Sequence, residues 1–264
     1  MASKIVLVTG ANNGIGYETV KALLQSTKAT YHIFLGSRSI EKGNKALEAL
    51  KAEVPDTKSS VELLQLDLTD DVFIESAYDT VRNKHDHIDT LVNNAGASFD
   101  GELQAGRVSL RECFTKAYDV NLAGTHVLTY TFMPLLLKSA DPRLVFVAGL
   151  SHITQAAKSY FPTPPLPAGW PKKVDFETIG YRCSKTALNM LMLDWNHKLK
   201  ADRVKVWGAE PGFLVTGLGG VTEKVREMGG GHPSIGGVFI KDVVEGVRDS
   251  DVGKLVQKNG LSAW

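Results

Sequence analysis

The amino-acid sequence predicts an α/β fold in which an open, mostly parallel sheet of seven strands carries helices on both faces. Three observations carry that expectation. Residues 4–9 (Lys-Ile-Val-Leu-Val-Thr) form a short apolar, β-branched run, and Gly10-Ala11-Asn12-Asn13-Gly14-Ile15-Gly16 follows directly; after it Val20, Leu23 and Leu24 recur at helical spacing. Strand-like runs then alternate with helical patterns along the chain, the order that gives parallel strands joined by right-handed crossovers. Leu144-Val145-Phe146-Val147 is apolar throughout, as expected of a strand covered on both faces.

Residues 30–36 predict the second strand, and 39–53 a helix with a serine and a glutamate at its start. Residues 61–66 predict the third strand, ending at Asp67, after which Thr69 or Asp70 caps a helix reaching about residue 85. Residues 88–92 form the fourth strand and run into Asn93-Asn94-Ala95-Gly96. A long helical pattern spans 109–138, the fifth strand is 144–147, a second long helix covers 176–199, and the sixth strand is 204–208. Residues 243–248 belong to a late helix, and 255–257 make a short last strand. Two stretches break the rhythm. Residues 160–173 hold Pro162, Pro164, Pro165, Pro167 and Pro171, and 212–237 is glycine-rich without a sheet pattern. With no repeat, charge block or linker, residues 1–264 read as one domain with loop insertions at about 150–176 and 212–237. Both insertions follow strands and are expected at the carboxyl edge of the sheet, where open α/β sheets bind ligands.

The chain has 264 residues, 43% of them hydrophobic and 22% charged, enough for a sizeable core. A formal net charge of +1 leaves no electrostatic footprint for nucleic acid or an anionic membrane. Cys113 and Cys183 stand apart, outside any Cys-x-x-Cys pair, which argues for a reducing compartment and against a metal site. No signal-peptide pattern precedes the first strand, and no apolar run approaches the roughly 20 residues of a membrane span. A cytoplasmic location is the expectation.

Candidate chemistry begins at the glycine turn. Gly10, Gly14 and Gly16 would turn the chain, admit a pyrophosphate to the backbone and pack helix on strand, although an ordinary βα turn also uses glycines. The second strand ends Gly36-Ser37-Arg38-Ser39, with no carboxylate before Glu41. An acidic residue there bonds the ribose hydroxyl of NAD, whereas an arginine accommodates the 2′-phosphate of NADP. Arg38, with Ser37 or Ser39 adding a hydroxyl donor, therefore points to NADP(H); the alternative is a solvated surface arginine. Tyr181 and Lys185 share a helical face at i, i+4, and the ammonium is expected to lower the phenol from its ordinary value near 10. Such a pair also occurs as plain helix surface.

Together these residues resemble the short-chain dehydrogenase/reductase family, over nearly the whole chain and in the family's order. The resemblance implies a doubly wound, Rossmann-type domain. Thr9-Gly10-x-x-x-Gly14-x-Gly16 matches the nucleotide motif, which brings Asn12, Asn13 and Ile15 to the cofactor. Asp67, with Leu68 beside it, matches the acidic residue that bonds the adenine amino group. Asn93-Asn94-Ala95-Gly96 matches the motif that steadies the sheet and lines the cofactor, and Pro211-Gly212 with Thr216 matches the segment at the nicotinamide carboxamide. The family's chemistry would make Tyr181 the general acid, Lys185 the holder of the nicotinamide ribose, and Asn121 the link from Lys185 to bulk water. No metal is implied.

Two departures stand out. The family's catalytic serine falls on Gly149, in Val147-Ala148-Gly149-Leu150-Ser151-His152. Ser151 is the nearest hydroxyl and either substitutes or only bonds within its loop; His152 is a second candidate donor. The segment between Ser151 and Tyr181 is also long and carries Phe161, Leu166 and Trp170, which either wall a pocket for a bulky apolar substrate or pack on the surface. The expected activity is reduction of a ketone or aldehyde of an apolar small molecule by NADPH, or the reverse oxidation. A nucleotide-binding sensor and a redox-neutral enzyme on the same fold are the alternatives. Family members pair through the two long helices, so a homodimer or homotetramer is expected.

Overall fold

A computed structural model describes residues 3–264. The first half of the chain forms β1 (Lys4–Val8), α1 (Gly14–Leu24), β2 (Tyr31–Ser37), α2 (Ile40–Glu53), β3 (Ser60–Gln65), α3 (Asp71–Arg82), β4 (Thr90–Asn93), α4 (Asp100–Gln104), α5 (Leu110–Tyr118), a π-helical turn (Asp119–Gly124) and α6 (Thr125–Leu136). The second half forms β5 (Arg143–Val147), α7 (Ile153–Lys158), α8 (Ile179–Lys198), β6 (Lys205–Glu210), α9 (Thr222–Glu227), α10 (Ser234–Val244), β7 (Leu255–Gln257) and β8 (Gly260–Leu261). The sheet order is β3-β2-β1-β4-β5-β6-β7-β8, parallel from β1 to β7. Among the described residues the expected seven strands are therefore eight. β8 returns antiparallel on β7 and, at two residues, is too short for any alternation to show in the sequence.

Alternate side chains of the strands feed two cores. Leu7, Phe34, Leu91, Leu144 and Phe146 pack against α3, α6 and α8, while Val6, Val8, Ile33, Val145 and Trp207 pack against α1, α2 and α10. Burying one such side chain contributes about 1.5–3 kcal/mol, so strands covered on both faces read as unbroken apolar runs. β1 pairs with both β2 and β4, and the chain reverses its direction of travel between them. The crevice at that reversal opens at the carboxyl ends of the strands.

Three expected elements change shape. The 109–138 pattern is broken at Asp119–Gly124, where Gly124 runs so close to β3's exit that a Cβ would fall 1.9 Å from the Leu68 carbonyl oxygen. The backbone bulges there rather than winding evenly. The second long helix begins at Ile179 instead of 176, because Glu177 Oε1 accepts the N–H groups of Thr178 and Ile179 and closes the helix start. The glycine-rich stretch is not irregular throughout: α9 lies inside it, and α10 begins at Ser234 and ends at Val244, short of the expected 248. Gly237 is helical because α10 presses on α1, where a Cβ would sit 2.4 Å from the carbonyl carbon of Glu18. A glycine needed for contact between helices looks, in sequence, like a glycine of a loop.

Candidate active site

The carboxyl ends of the central strands and the loops after them enclose a cleft of about 770 Å³. At one end lies the glycine turn. Gly10 adopts φ +61° and passes the β4 exit so closely that a Cβ would sit 2.8 Å from the Ala95 Cα; Gly14 adopts φ +56°. Thr9 Oγ1 accepts the N–H groups of Asn94 (2.9 Å) and Ala95 (2.8 Å), and Asn94 Nδ2 donates to the Thr9 carbonyl at 2.8 Å. The turn is thus braced from beneath by the Asn93–Gly96 segment. Asn13, at the start of α1, makes no side-chain cap. First-turn N–H groups have no intrahelical partner, so this uncapped start presents donors and positive dipole to the cleft. The arrangement fits a dinucleotide pyrophosphate.

The residues singled out from sequence converge. Gly10, Asn12, Asn13, Gly14, Ile15, Ser37, Arg38, Asp67, Leu68, Asn94, Ala95, Gly96, Tyr181, Lys185, Pro211, Gly212 and Thr216 all line the cleft. Arg38 is exposed and makes no ion pair among the described residues. Lys42, one turn into α2, lines the same end and adds a second cation that sequence reading missed. Gly16 packs beneath the turn, where a Cβ would meet Asn94 Nδ2 at 2.5 Å. Phe161, Phe176 and Phe213 also line the cleft, and the Phe161 and Phe213 rings meet edge to face with centroids 5.5 Å apart, which joins the two insertions. Arg182 secures the first insertion by donating to the Phe161 carbonyl and lying over the Tyr160 ring. Leu166 lines a small neighbouring cavity, while Trp170 is 88% exposed and stands away from the cleft.

Burial sets the electrostatics of the Tyr181/Lys185 pair. Lys185 Nζ donates to the Val147 carbonyl at 2.8 Å and lies 5.8 Å from the Tyr181 ring centroid. Removal from water pulls its pKa down to about 8. The Tyr181 phenol moves in the direction opposite to the expected one: burial, and then the negative charge of Glu210, push it above its ordinary value. Asn121 is fully buried, and its amide is spent within the protein. Nδ2 donates to the Ala97 carbonyl and to Ser184 Oγ, both at 2.8 Å, and Oδ1 accepts the Ala97 N–H at 2.7 Å. Oδ1 and Lys185 Nζ both crowd Gly96, where a Cβ would sit 3.3 Å from each.

The segment after β5 bears on the two readings left open for Ser151. Gly149 (φ +148°) and Leu150 (φ +56°) turn the backbone so that Ser151 faces α8, with its carbonyl 3.5 Å from Thr186 Oγ1 and Asn189 Nδ2. The Ser151 hydroxyl is buried without a partner and lies outside the cleft lining. His152 faces the cleft instead, with Nε2 2.6 Å from Glu210 Oε1. Sequence reading also missed Glu210 and Asp100. Asp100 is buried, and its carboxylate caps the start of α8 by accepting the N–H groups of Gly180 and Tyr181. Its only sequence signal is a carboxylate at a helix start.

Away from the cleft, His32, Glu62 and His85 bring metal-type ligand atoms within 4.8 Å of one another. Lys84 Nζ already holds Glu62 Oε2 at 2.6 Å and Ser60 Oγ holds His32 Nδ1 at 2.8 Å, so the group reads as a neutralised polar network. No helix among the described residues is long and apolar enough to cross a membrane.

The geometry agrees with what the chain is similar to. A family model for short chain dehydrogenase matches residues 4–159. The chain is 47% identical over 263 residues to the short-chain dehydrogenase/reductase tropE of Talaromyces stipitatus, covering 97% of this chain and 96% of that protein. It is 40% identical over 272 residues to the short-chain dehydrogenase/reductase eupG of a Phoma species, covering 98% and 97%. Solved structures of similar fold include an NADPH-bound carbonyl reductase from chicken fatty liver (TM-score 0.74, 22% identity, all of both chains). Another is a 3-oxoacyl-acyl-carrier-protein reductase from Brucella melitensis in complex with NAD (TM-score 0.75, 20% identity, 97% and 96% of the two chains). Fold, cleft and relatives lead to one conclusion: this chain is a member of the short-chain dehydrogenase/reductase family of oxidoreductases.

Proposed function

We propose that the protein is an NADPH-dependent reductase that converts a ketone or aldehyde of a bulky apolar molecule to the alcohol. The observation that carries the reading is one cleft whose wall includes the glycine turn and Arg38, Tyr181 and Lys185, and the three phenylalanines of the insertions. A bound reduced nicotinamide would supply the hydride. Gly10 to Ile15 seat the pyrophosphate, Asp67 and Leu68 flank the adenine, and Asn94 to Gly96 with Pro211, Gly212 and Thr216 line the path to the nicotinamide. Preference for NADPH rests on Arg38 and Lys42 at the end of β2, where no carboxylate lines the cleft to meet a ribose hydroxyl.

Tyr181 holds the proton that the carbonyl oxygen receives. A phenol kept protonated by burial is in the state a general acid needs for reduction. Lys185, buried and poised at about 8, presents its ammonium to the nicotinamide ribose at neutral pH, with Asn121 Oδ1 beside it at Gly96. Phe161, Phe176 and Phe213 exclude water and accept an apolar ring system. Tyr130 on α6 and Met190 on α8 stand exposed and support pairing of two copies through those helices, which light scattering in solution would test.

The deciding experiment mixes the protein with NADPH and a panel of apolar ketones and aldehydes and follows the nicotinamide absorbance. Oxidation with at least one carbonyl is expected. Gly149, which puts no hydroxyl where the family has its serine, favours a second reading, a cofactor-binding protein without turnover. Tight NADPH binding with no oxidation on any carbonyl would select it.

A further inference from the structure

We infer that His152 donates the hydrogen bond that steadies the reacting carbonyl oxygen, and that Glu210 is the residue that positions it. The inference rests on the carbonyl-reductase reading above.

The backbone after β5 leaves a gap and then fills it. Gly149 has no side chain, and a Cβ built there meets nothing within 4 Å, so the place where the family's serine would stand is open space. The two positive-φ residues, Gly149 and Leu150, then swing Ser151 onto α8 and bring His152 to the cleft. Its side chain is 12% exposed. Nε2 is shut away from solvent and sits 2.6 Å from Glu210 Oε1, a close contact that meets no hydrogen-bond geometry yet holds the ring against the carboxylate. Nδ1 has no protein partner among the described residues. Glu210 itself is held from its other side by the Ser262 hydroxyl, which donates to Oε2 at 2.6 Å. Position 210 ends β6 immediately before Pro211-Gly212, and its charge is felt at the Tyr181 phenol, so His152, Glu210 and Tyr181 share one end of the cleft.

The chemistry requires a counterweight at that place. As a hydride forms the new C–H bond, the carbonyl π electrons move onto oxygen, and that oxygen takes the proton of Tyr181. Negative charge developing beside Glu210 is opposed by its carboxylate unless a hydrogen-bond donor intervenes. The His152 ring, held at Nε2 by Glu210, offers Nδ1–H to the oxygen and keeps that proton throughout. A preorganised donor of this kind acts where charge develops, which is where hydrogen bonds contribute most to rate. The bland alternative is that the pair is a clasp between the loop and β6.

The test compares the parent protein with His152→Ala and His152→Gln, using NADPH and a carbonyl that the parent reduces. Turnover of His152→Ala is expected to fall by about 10²–10³, the usual effect of deleting one such donor. NADPH affinity, read by nicotinamide fluorescence, is expected to hold. Added imidazole should restore part of the lost rate, and the amide donor of His152→Gln should retain part of it. Parent-like turnover in His152→Ala overturns the inference. So does a loss that imidazole leaves untouched while the melting temperature drops, which is the signature of a clasp. Absence of turnover in the parent itself removes the reductase reading, and the inference falls with it.

Discussion

The carboxylate of Asp100 accepts the backbone N–H of Tyr181 at 3.0 Å, and its other oxygen accepts that of Gly180 at 2.7 Å. A residue of α4 therefore closes the amino end of α8, the helix that carries Tyr181 and Lys185. Ser98 Oγ donates to the same carboxylate at 3.0 Å and ties it back to the segment after the Asn93–Gly96 bend. The cap thus holds the backbone at the residue that carries the phenol.

Asp100→Ala should cost about 1–2 kcal/mol, the usual effect of losing a helix cap, and should lower turnover more than NADPH affinity. Asp100→Asn keeps an acceptor and should fall between. Thermal unfolding with steady-state kinetics checks both; an unchanged melting temperature would show that the cap contributes nothing.

Arg38→Ala should weaken NADPH binding by about 10- to 100-fold, the worth of a charge-assisted hydrogen bond to phosphate, while NADH affinity changes little. Lys42→Ala should act in the same direction. Fluorescence titration with the two cofactors decides it, and an equal loss for both would refute a 2′-phosphate role.

Lys185→Met should separate stability from activity. The folded pKa of about 8 lies below the ordinary lysine value of 10.5, so the folded state gives up its proton first. Between those values the unfolded chain binds more protons, and stability rises with pH. Below pH 8 the full cost of the buried charge is present, so Lys185→Met at pH 7 should raise stability by up to about 3 kcal/mol. Turnover should fall by about 10² or more. Unfolding curves from pH 7 to 10.5 check the sign: the parent should gain stability across that range and the variant should not.

Arg143 should stabilise the protein only above strongly acidic pH. Its side chain is 6% exposed, reaches Asp249 Oδ1 at 2.7 Å and Asp141 Oδ2 at 2.8 Å, and Lys205 joins both carboxylates. The Arg143 guanidinium holds Asp249 down to about 2, below its ordinary 3.8. That stabilisation is complete above pH 4 and disappears as pH falls through 2. Asp249 is a third exposed, so solvent screening reduces the effect to about 1 kcal/mol. Arg143→Met should therefore lie below the parent at pH 7 and converge on it near pH 2; a constant gap would refute the linkage.

How much was legible in the sequence follows from how local each feature is. The glycine turn, the Tyr181/Lys185 pair and Arg38 announce themselves by spacing or by their place at the end of an apolar run. Strand existence was legible for the same reason, since both faces of β1, β4 and β5 are buried. Glu210 and Asp100 were not, because each acts on a segment far away in sequence, and a lone carboxylate carries no sign of where it reaches. The choice between Ser151 and His152 depends on the sign of φ at Gly149 and Leu150, and no side-chain pattern reports the latter. Lys42 was passed over because it resembles any solvated lysine in an exposed first turn.

The contact of Gly237 with Glu18 has a consequence for timing. Residues 212–233 leave β6 beside the cleft and re-enter the fold at α10, which is pressed without a gap onto α1. Both ends of that segment are therefore moored to the scaffold that carries the glycine turn, and Thr216 stands 3.5 Å from where a Cβ on Gly14 would be. A segment moored so closely beside the glycine turn should impose an order of traffic: coenzyme should enter first and leave last, and oxidised coenzyme should compete with reduced coenzyme at every substrate concentration.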